Sequence, residues 1–429
     1  MTSSVTARRR RGTPRLLVSR VLSLLAASVL IFDTLAGHAA QPRNSASLAG
    51  AEAQLKLVLE KVQQSQLDTA LSEVDRLMVR YPNFRLAHLV RGDLLLARTR
   101  PIEVFGNTGH AARERLDELR AEAYVRLRSY MDHPPAELIP RYLLQFGPAQ
   151  KNAIVIDGGR SRVYVYENAN GTPRLVKDYY TTLGKRGIDK LVEGDKKTPV
   201  GVYQVTSQIP GNKLPDLYGW GAFPISYPNE WDKLLGKTGY GIWLHGVPPD
   251  TYTRAPWASD GCIALANPDI EDLAQRVQVG VTPVIISDRV EWLTPEAWRA
   301  ERDAFMAQLE AWRADWEGLD TQRYLAHYAR SFRSDGMDLA AWQEHKRKVN
   351  AGKTWIKVSL NNLSAFRSPS QQSLIAVTYD QDYRSNNLMQ QTRKRQYWTV
   401  ENGRWKIAYE APVRGVALAL PESFPGQQR

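Results

Sequence analysis

The sequence predicts a multidomain protein with an N-terminal all-α region, a central mostly-β domain and a C-terminal α+β cone. Three observations carry this. Apolar residues recur at helical spacing from about residue 45 to about residue 147. Short β-branched and aromatic runs, punctuated by Gly and Pro, follow as far as Trp292. From Pro295 a long helical pattern leads into aromatic-rich alternating runs. A chain of 429 residues suits two or three domains at roughly 100–200 residues each.

Residues 1–40 read as an export signal. Arg8 to Arg11 supply a positive start, and Val21 to Phe32 form an apolar stretch of twelve residues. That is short for a membrane span and right for the core of a signal peptide. Gly37-His38-Ala39 offers small residues to a peptidase. The alternative is an uncleaved anchor starting near Leu16, which would hold the protein at the inner membrane. Either way the expected location is outside the cytoplasm, in a periplasm of the Gram-negative type. Residues 1–40 hold six Arg against one Asp, so the rest of the chain carries +7 of the formal +12. Its basic residues are scattered and no nucleic-acid motif is present, so no nucleic-acid partner is expected.

Residues 41–147 are expected to be helical. Ala51, Leu55, Val58, Leu59 and Val62 share one face, and Leu67, Ala70, Leu71, Val74, Leu77 and Met78 share another. Ser65 with Asp68 is read as the start of the second helix, and Pro82 follows its end. Ala87 to Leu96 and His110 to Met131 suggest two more. Paired helices ending before a Pro are similar to a tetratricopeptide unit, although fewer than three repeats are visible.

Residues 148–292 are expected to form the β domain. Strands are predicted at Ala153–Ile156, Arg162–Tyr166, Leu175–Thr182, Val202–Thr206, Gly241–His245 and Val284–Ser287. Residues 293–415 are expected to begin with helices at Pro295–Trp316 and Gln322–Phe332. Strands are predicted at Trp355–Leu360, Ser373–Tyr379, Arg395–Val400 and Arg404–Tyr409, with Asn402-Gly403 as a hairpin turn. The Trp residues from Trp298 to Trp405 are expected to fill the cone; the alternative is a pocket that stacks a ligand. Residues 416–429 read as a tail.

The chain has one cysteine, Cys262, so no internal disulfide can form. An unpaired thiol in an exported protein is either buried or used. It lies in the turn Ser259-Asp260-Gly261-Cys262. A thiol becomes a nucleophile when a neighbour takes its proton, and His245 is the candidate. His245 ends an apolar strand and is followed by Gly246, which lets the chain turn and bring its carbonyl to the imidazole.

His-Gly, this spacing, then Ser-x-Gly-Cys resembles the YkuD-type L,D-transpeptidase domain. The upstream segment "EGDKKTPVGVY", Glu193 to Tyr203, is similar to another motif of that family. The resemblance covers about residues 150–290. The flanking regions are similar to multidomain bacterial members, including L,D-carboxypeptidases of peptidoglycan that carry a C-terminal domain of the NTF2/SnoaL-like type. The resemblance implies Cys262 as nucleophile and His245 as general base, with the Gly246 carbonyl orienting the ring. The backbone N–H groups of Gly261 and Cys262 would receive the oxyanion. Peptidoglycan stem peptides are the implied substrate, processed by transpeptidation or by trimming of tetrapeptide to tripeptide. A non-catalytic wall-binding scaffold is the reading from a different class. No metal or organic cofactor is expected, and the C-terminal domain is a candidate for binding a small ligand or a partner protein.

Two positions depart from the family pattern: Asp260 replaces a His, and Ala264 stands where Arg or Asn is usual. An ionised Asp260 would raise the thiol pKa, or it would bind a cationic substrate group such as the side-chain amine of diaminopimelate. In the second case Asp260→Asn weakens substrate use and spares the thiol. Arg254 is a candidate to stand in for the missing Arg. Ser259, Tyr240 and Trp243 are further candidate substrate contacts, and Tyr252 a candidate for the cleft wall. Asp195, Thr198, Pro199 and Gly201 are expected to shape a turn beside the site. "YGWGAF" from Tyr218 lacks the third glycine of a dinucleotide loop.

Overall fold

The computed structural model describes residues 50–106, 112–370 and 373–413. The expected export signal at 1–40 and tail at 416–429 lie outside the described residues. No helix among the described residues is long and apolar enough to cross a membrane.

The chain divides into two compact units between Arg120 and Ala121. The first contains helices Ala51–Gln63, Leu67–Arg80 and Arg85–Ala97, and the helix Arg113–Met131 begins in it. Leu55 and Val58 of the first helix, Val74 and Leu77 of the second, and Ala87 and Val90 of the third are buried, which is the helical period made physical. Ser65 does not cap the second helix. It turns into the left-handed region at φ 58° to end the first helix, and Gln66 takes the cap position.

The helical region does not reach residue 147. Pro134 and Pro135 follow Met131 and cannot continue a helix. Two short strands come next: Ile139–Pro140 pairs with Trp292–Leu293, and Leu143–Gln145 pairs with Ile356–Arg367.

The central domain is built on a five-stranded sheet in the order 172–180, 162–169, 152–157, 283–287, 201–204. Strand Asn152–Asp157 lies inside it, and both its faces are buried. Ile154 and Ile156 pack into the core shared with Leu244, Ile263 and Leu273, while Ala153 and Val155 pack against Tyr142, Leu143 and Phe366. Each such aliphatic side chain contributes about 1.5–3 kcal/mol on burial. A second sheet runs 263–264, 243–245, 221–224, 209–210, and it carries the candidate site.

The C-terminal domain starts with the helix Pro295–Glu317, capped by the Thr294 hydroxyl, and the short helix Thr321–Leu325. The expected helix at 322–332 is corrected here. Tyr328–Ser334 is a strand, and it pairs parallel with Arg404–Pro412. A further helix, Leu339–Ala351, precedes the four-stranded meander Ile356–Arg367, Leu374–Ser385, Leu388–Glu401 and Arg404–Pro412. Asn402 and Gly403 both take positive φ in the last hairpin. Trp312, Trp316, Trp342 and Trp398 are buried together in this domain's core. Leu143–Gln145 adds the seventh strand to its sheet, and the Trp298 indole donates to the Leu143 carbonyl at 2.7 Å.

Candidate active site

Strand Trp243–His245 is paired on both sides. It runs antiparallel to Gly221–Pro224 and parallel to Ile263–Ala264, with Leu244 opposite Ile263 and His245 opposite Ala264. Opposed residues in a sheet share a face and successive residues alternate. Leu244 and Ile263 are both fully buried in the core. Trp243, His245 and Cys262 therefore face the other way, together. Chain order keeps the thiol and the imidazole apart; strand pairing puts them on one face.

His245 is buried, and its Nδ1 lies 2.6 Å from the Gly246 carbonyl oxygen. A carbonyl only accepts, so Nδ1 carries the ring proton and the lone pair sits on Nε2. Burial pushes the imidazole pKa down to about 4, and Arg254 adds to this, against the pull of the Gly246 carbonyl. Burial also raises the Cys262 thiol. Asp260 adds to that rise, while the Trp243 backbone, Arg254 and Lys190 oppose it. The thiol donates to the Gly241 carbonyl at 3.4 Å. A raised thiol beside a depressed imidazole rests as a neutral pair.

The cysteine turn is held from three sides. Gly261 has φ 124°, and a Cβ there would meet the Lys197 carbonyl oxygen at 2.8 Å, so only glycine fits. The Thr198 hydroxyl donates to the Gly261 carbonyl at 3.0 Å and accepts from the Gly184 N–H at 2.9 Å. Asp195 ties its own loop by accepting from Lys190 Nζ and the Leu191 and Lys197 N–H groups. Ser259 is buried; its hydroxyl donates to the Cys262 carbonyl at 2.6 Å and accepts from the Gly261 N–H at 3.1 Å.

These bonds correct two expectations. Ser259 has both hydrogen-bonding directions used inside the turn, so it is a brace and not a substrate contact. The Gly261 N–H is spent on Ser259, so it is not free to receive an oxyanion. Asp260 is also reassigned. Its carboxylate is 2.8 Å from Lys185 Nζ at the surface, where that ion pair lowers its pKa. The carboxylate is already paired with a lysine of this chain, which competes with any substrate amine for it.

Arg254 is fixed by its guanidinium donating to the Ala258 carbonyl, close enough to influence both His245 and Cys262. Ala264 is buried opposite His245. Tyr240 is 78% exposed, beside the Gly241 that receives the thiol. Trp243 is half-buried, with the Tyr218 ring 5.0 Å away.

Tyr218 is the residue sequence reasoning missed. Its ring stands edge-on to the His245 imidazole at 5.0 Å, and its phenol pKa is raised by burial and by the Cys262 sulfur. Gly219, at φ 53°, lets the chain pass the Val247 carbonyl, which a Cβ would meet at 2.1 Å. The Asn267 side chain then stitches this loop to the His-Gly turn. It accepts from the Trp220 and Val247 N–H groups at 3.0 and 3.1 Å and donates to the Val247 carbonyl at 2.9 Å. The available signal was an aromatic residue set before Gly219 and Gly221 in "YGWGAF". No cluster of three or more metal-ligating side chains occurs among the described residues.

Residues 151–286 match the L,D-transpeptidase catalytic domain, YkuD, and residues 304–411 match the Cds6 C-terminal NTF2-like domain. Among solved structures, the chain is similar to Bd1075 of Bdellovibrio bacteriovorus, at 29% identity and a TM-score of 0.58, over 64% of this chain and 98% of that one. It is similar also to Pgp2, a helical cell shape determining protein of Campylobacter jejuni, at 25% identity and a TM-score of 0.54, over 68% of this chain and 99% of that one. No curated protein matches the chain in sequence. The chain thus carries a YkuD-type L,D-transpeptidase catalytic domain, with an NTF2-like domain after it.

Proposed function

We propose that the protein is an exported peptidoglycan L,D-transpeptidase that works through a thioacyl-enzyme on Cys262. The YkuD-type domain supports a function on peptidoglycan. The observation that carries the finer reading is the shared face of Cys262 and His245, with His245 Nδ1 committed to the Gly246 carbonyl.

In this reading His245 Nε2 takes the thiol proton as Cys262 Sγ attacks the carbonyl carbon of the third stem residue. The Cys262 N–H receives the developing oxyanion; one such donor is worth about 2.7–4 kcal/mol in comparable sites. The carbon–nitrogen bond to the terminal D-amino acid then breaks, and His245 returns the proton to the leaving amine. An acceptor amine attacks the thioester, forms the new amide and frees the thiol. Water in place of the amine would make the enzyme an L,D-carboxypeptidase. The basic and apolar stretches at Arg8–Arg11 and Val21–Phe32 support a periplasmic location.

The test is incubation of the purified protein, and of Cys262→Ala, with disaccharide tetrapeptide, followed by mass spectrometry. A cross-linked dimer, or exchange of the terminal D-alanine for an added D-amino acid, supports transpeptidation. Tripeptide alone assigns carboxypeptidation. Absence of any Cys262-dependent product overturns both and favours the scaffold.

A further inference from the structure

The mouth of the site holds a cluster of cations that the chemistry above does not use. Lys185 leaves strand Leu183–Gly184, which lies alongside Trp257–Ser259, and its N–H donates to the Ser259 carbonyl at 2.8 Å. Lys196 reaches the same place from the other side. Its carbonyl accepts from the Arg186 N–H at 3.2 Å, and it would meet a Cβ on Gly184 at 2.6 Å. Glycine at 184 is what lets the two segments touch. Lys196 is itself held at φ 60°, a conformation costly for a side-chain-bearing residue and kept only where the surroundings impose it. Arg254 completes the cluster from the loop before the cysteine turn, pinned to the Ala258 carbonyl.

One carboxylate, Asp260, lies among these three cations, and it is paired with Lys185. Both side chains are largely exposed, 72% for Asp260 and 45% for Lys185, so the rim is open to a ligand. Lys185, Lys196 and Arg254 all act on Asp260, so three cations against one carboxylate leave the local charge positive beside the cysteine turn. Positive groups at a cleft mouth select an anion, and a carboxylate is the anion that a stem peptide carries.

We propose that Lys185, Lys196 and Arg254 form a receptor for a free carboxylate of the donor stem peptide, with Asp260 as the internal carboxylate that competes for Lys185. This rests on the reading that stem peptides are the substrate. Two carboxylates have the right chemistry: the terminal one of the fourth residue, and that on the side chain of the third.

The test measures binding, by calorimetry on the full-length Cys262→Ala protein, so that it does not depend on turnover. Three tetrapeptides are compared: one with both carboxylates free, one amidated at the terminus, and one amidated on the third side chain. One amidation is expected to weaken binding about tenfold, the scale of one charge-assisted contact, and which one does so identifies the source. In Lys185→Ala/Lys196→Ala that penalty is expected to disappear, with an unchanged melting temperature showing that the fold is kept. Asp260→Asn is expected to tighten the acid peptide, because it releases Lys185; a carboxylate that bound a substrate amine would give the opposite sign.

Equal binding of all three peptides overturns the proposal, as does a penalty that survives the double substitution. If the Cys262-intact enzyme yields no product while the bound acid is still preferred, the catalytic reading fails and the carboxylate receptor stands.

Discussion

His245 Nδ1 and the Gly246 carbonyl oxygen lie 2.6 Å apart, so the imidazole is oriented by the residue that follows it in the chain. The ring needs no carboxylate partner to choose its tautomer. With its pKa near 4 the imidazole stays neutral, and able to accept a proton, down to about that pH. The acid limb of kcat/KM is therefore expected near pH 4. An acid limb at the ordinary imidazole value of 6.5 would contradict this assignment.

The thiol supplies the opposite limb. Burial raises the Cys262 pKa above the usual 9.0, so little thiolate exists at neutral pH. Alkylation by iodoacetamide is expected to quicken steadily from pH 6 to pH 9, since the reactive thiolate grows with pH. A rate already level at pH 6 would mean a preformed thiolate–imidazolium pair.

The Tyr218 ring packs on His245 and Trp243. Tyr218→Ala is expected to lower kcat at least tenfold with a smaller change in KM. Tyr218→Phe keeps the ring and is expected to restore most of kcat. Equal losses in the two variants would assign the work to the hydroxyl instead.

Thr198 joins Gly184 to Gly261 through one buried hydroxyl. Thr198→Val leaves an N–H and a carbonyl unpaired, at a cost of about 1–3 kcal/mol for each group so stranded. Urea denaturation should register that loss, and thiol alkylation should become less sensitive to pH as the turn loosens. Unchanged stability would show that water replaces the hydroxyl.

In the C-terminal domain, Lys346 sits 4.3 Å over the Trp342 ring, and burial lowers its pKa to about 8. The unfolded chain holds that proton up to about 10.5, so between pH 8 and 10.5 it binds more protons than the folded one. This lysine therefore makes stability rise with pH across that window. Lys346→Met should flatten the rise and increase the melting temperature at pH 7. A melting temperature that falls would show that the ammonium is needed, through the neighbouring Glu410.

The strands of the central domain were legible because Ile154, Val155 and Ile156 sit between turn residues, and a buried β run has few other readings. The placing of Cys262 in a turn and of His245 at a strand end was legible because a lone Cys and a His-Gly strand end are rare. Strand Tyr328–Ser334 was not, since Tyr324, Leu325, Tyr328 and Ala329 fit a helical face equally well and only its distant partner Arg404–Pro412 decides the matter. The partners of Ser259 and Asp260 were not legible, for a different reason. Residue type tells what a side chain can bond, and says nothing of whether a neighbour has already taken the bond.

Strand Leu143–Gln145 precedes the catalytic domain in sequence and yet belongs to the sheet that follows it. The YkuD-type domain is thus an insertion: the chain lays one edge of the NTF2-like sheet, leaves to build that domain, and returns to finish. Both ends of the inserted domain are anchored in the same neighbour, which denies it the freedom of a tethered module. A cut at residue 293 would strand the Leu143 edge and bare Phe366, its partner in the shared core. Expressed alone, residues 148–292 should precipitate, whereas 121–413 should remain monodisperse on size exclusion.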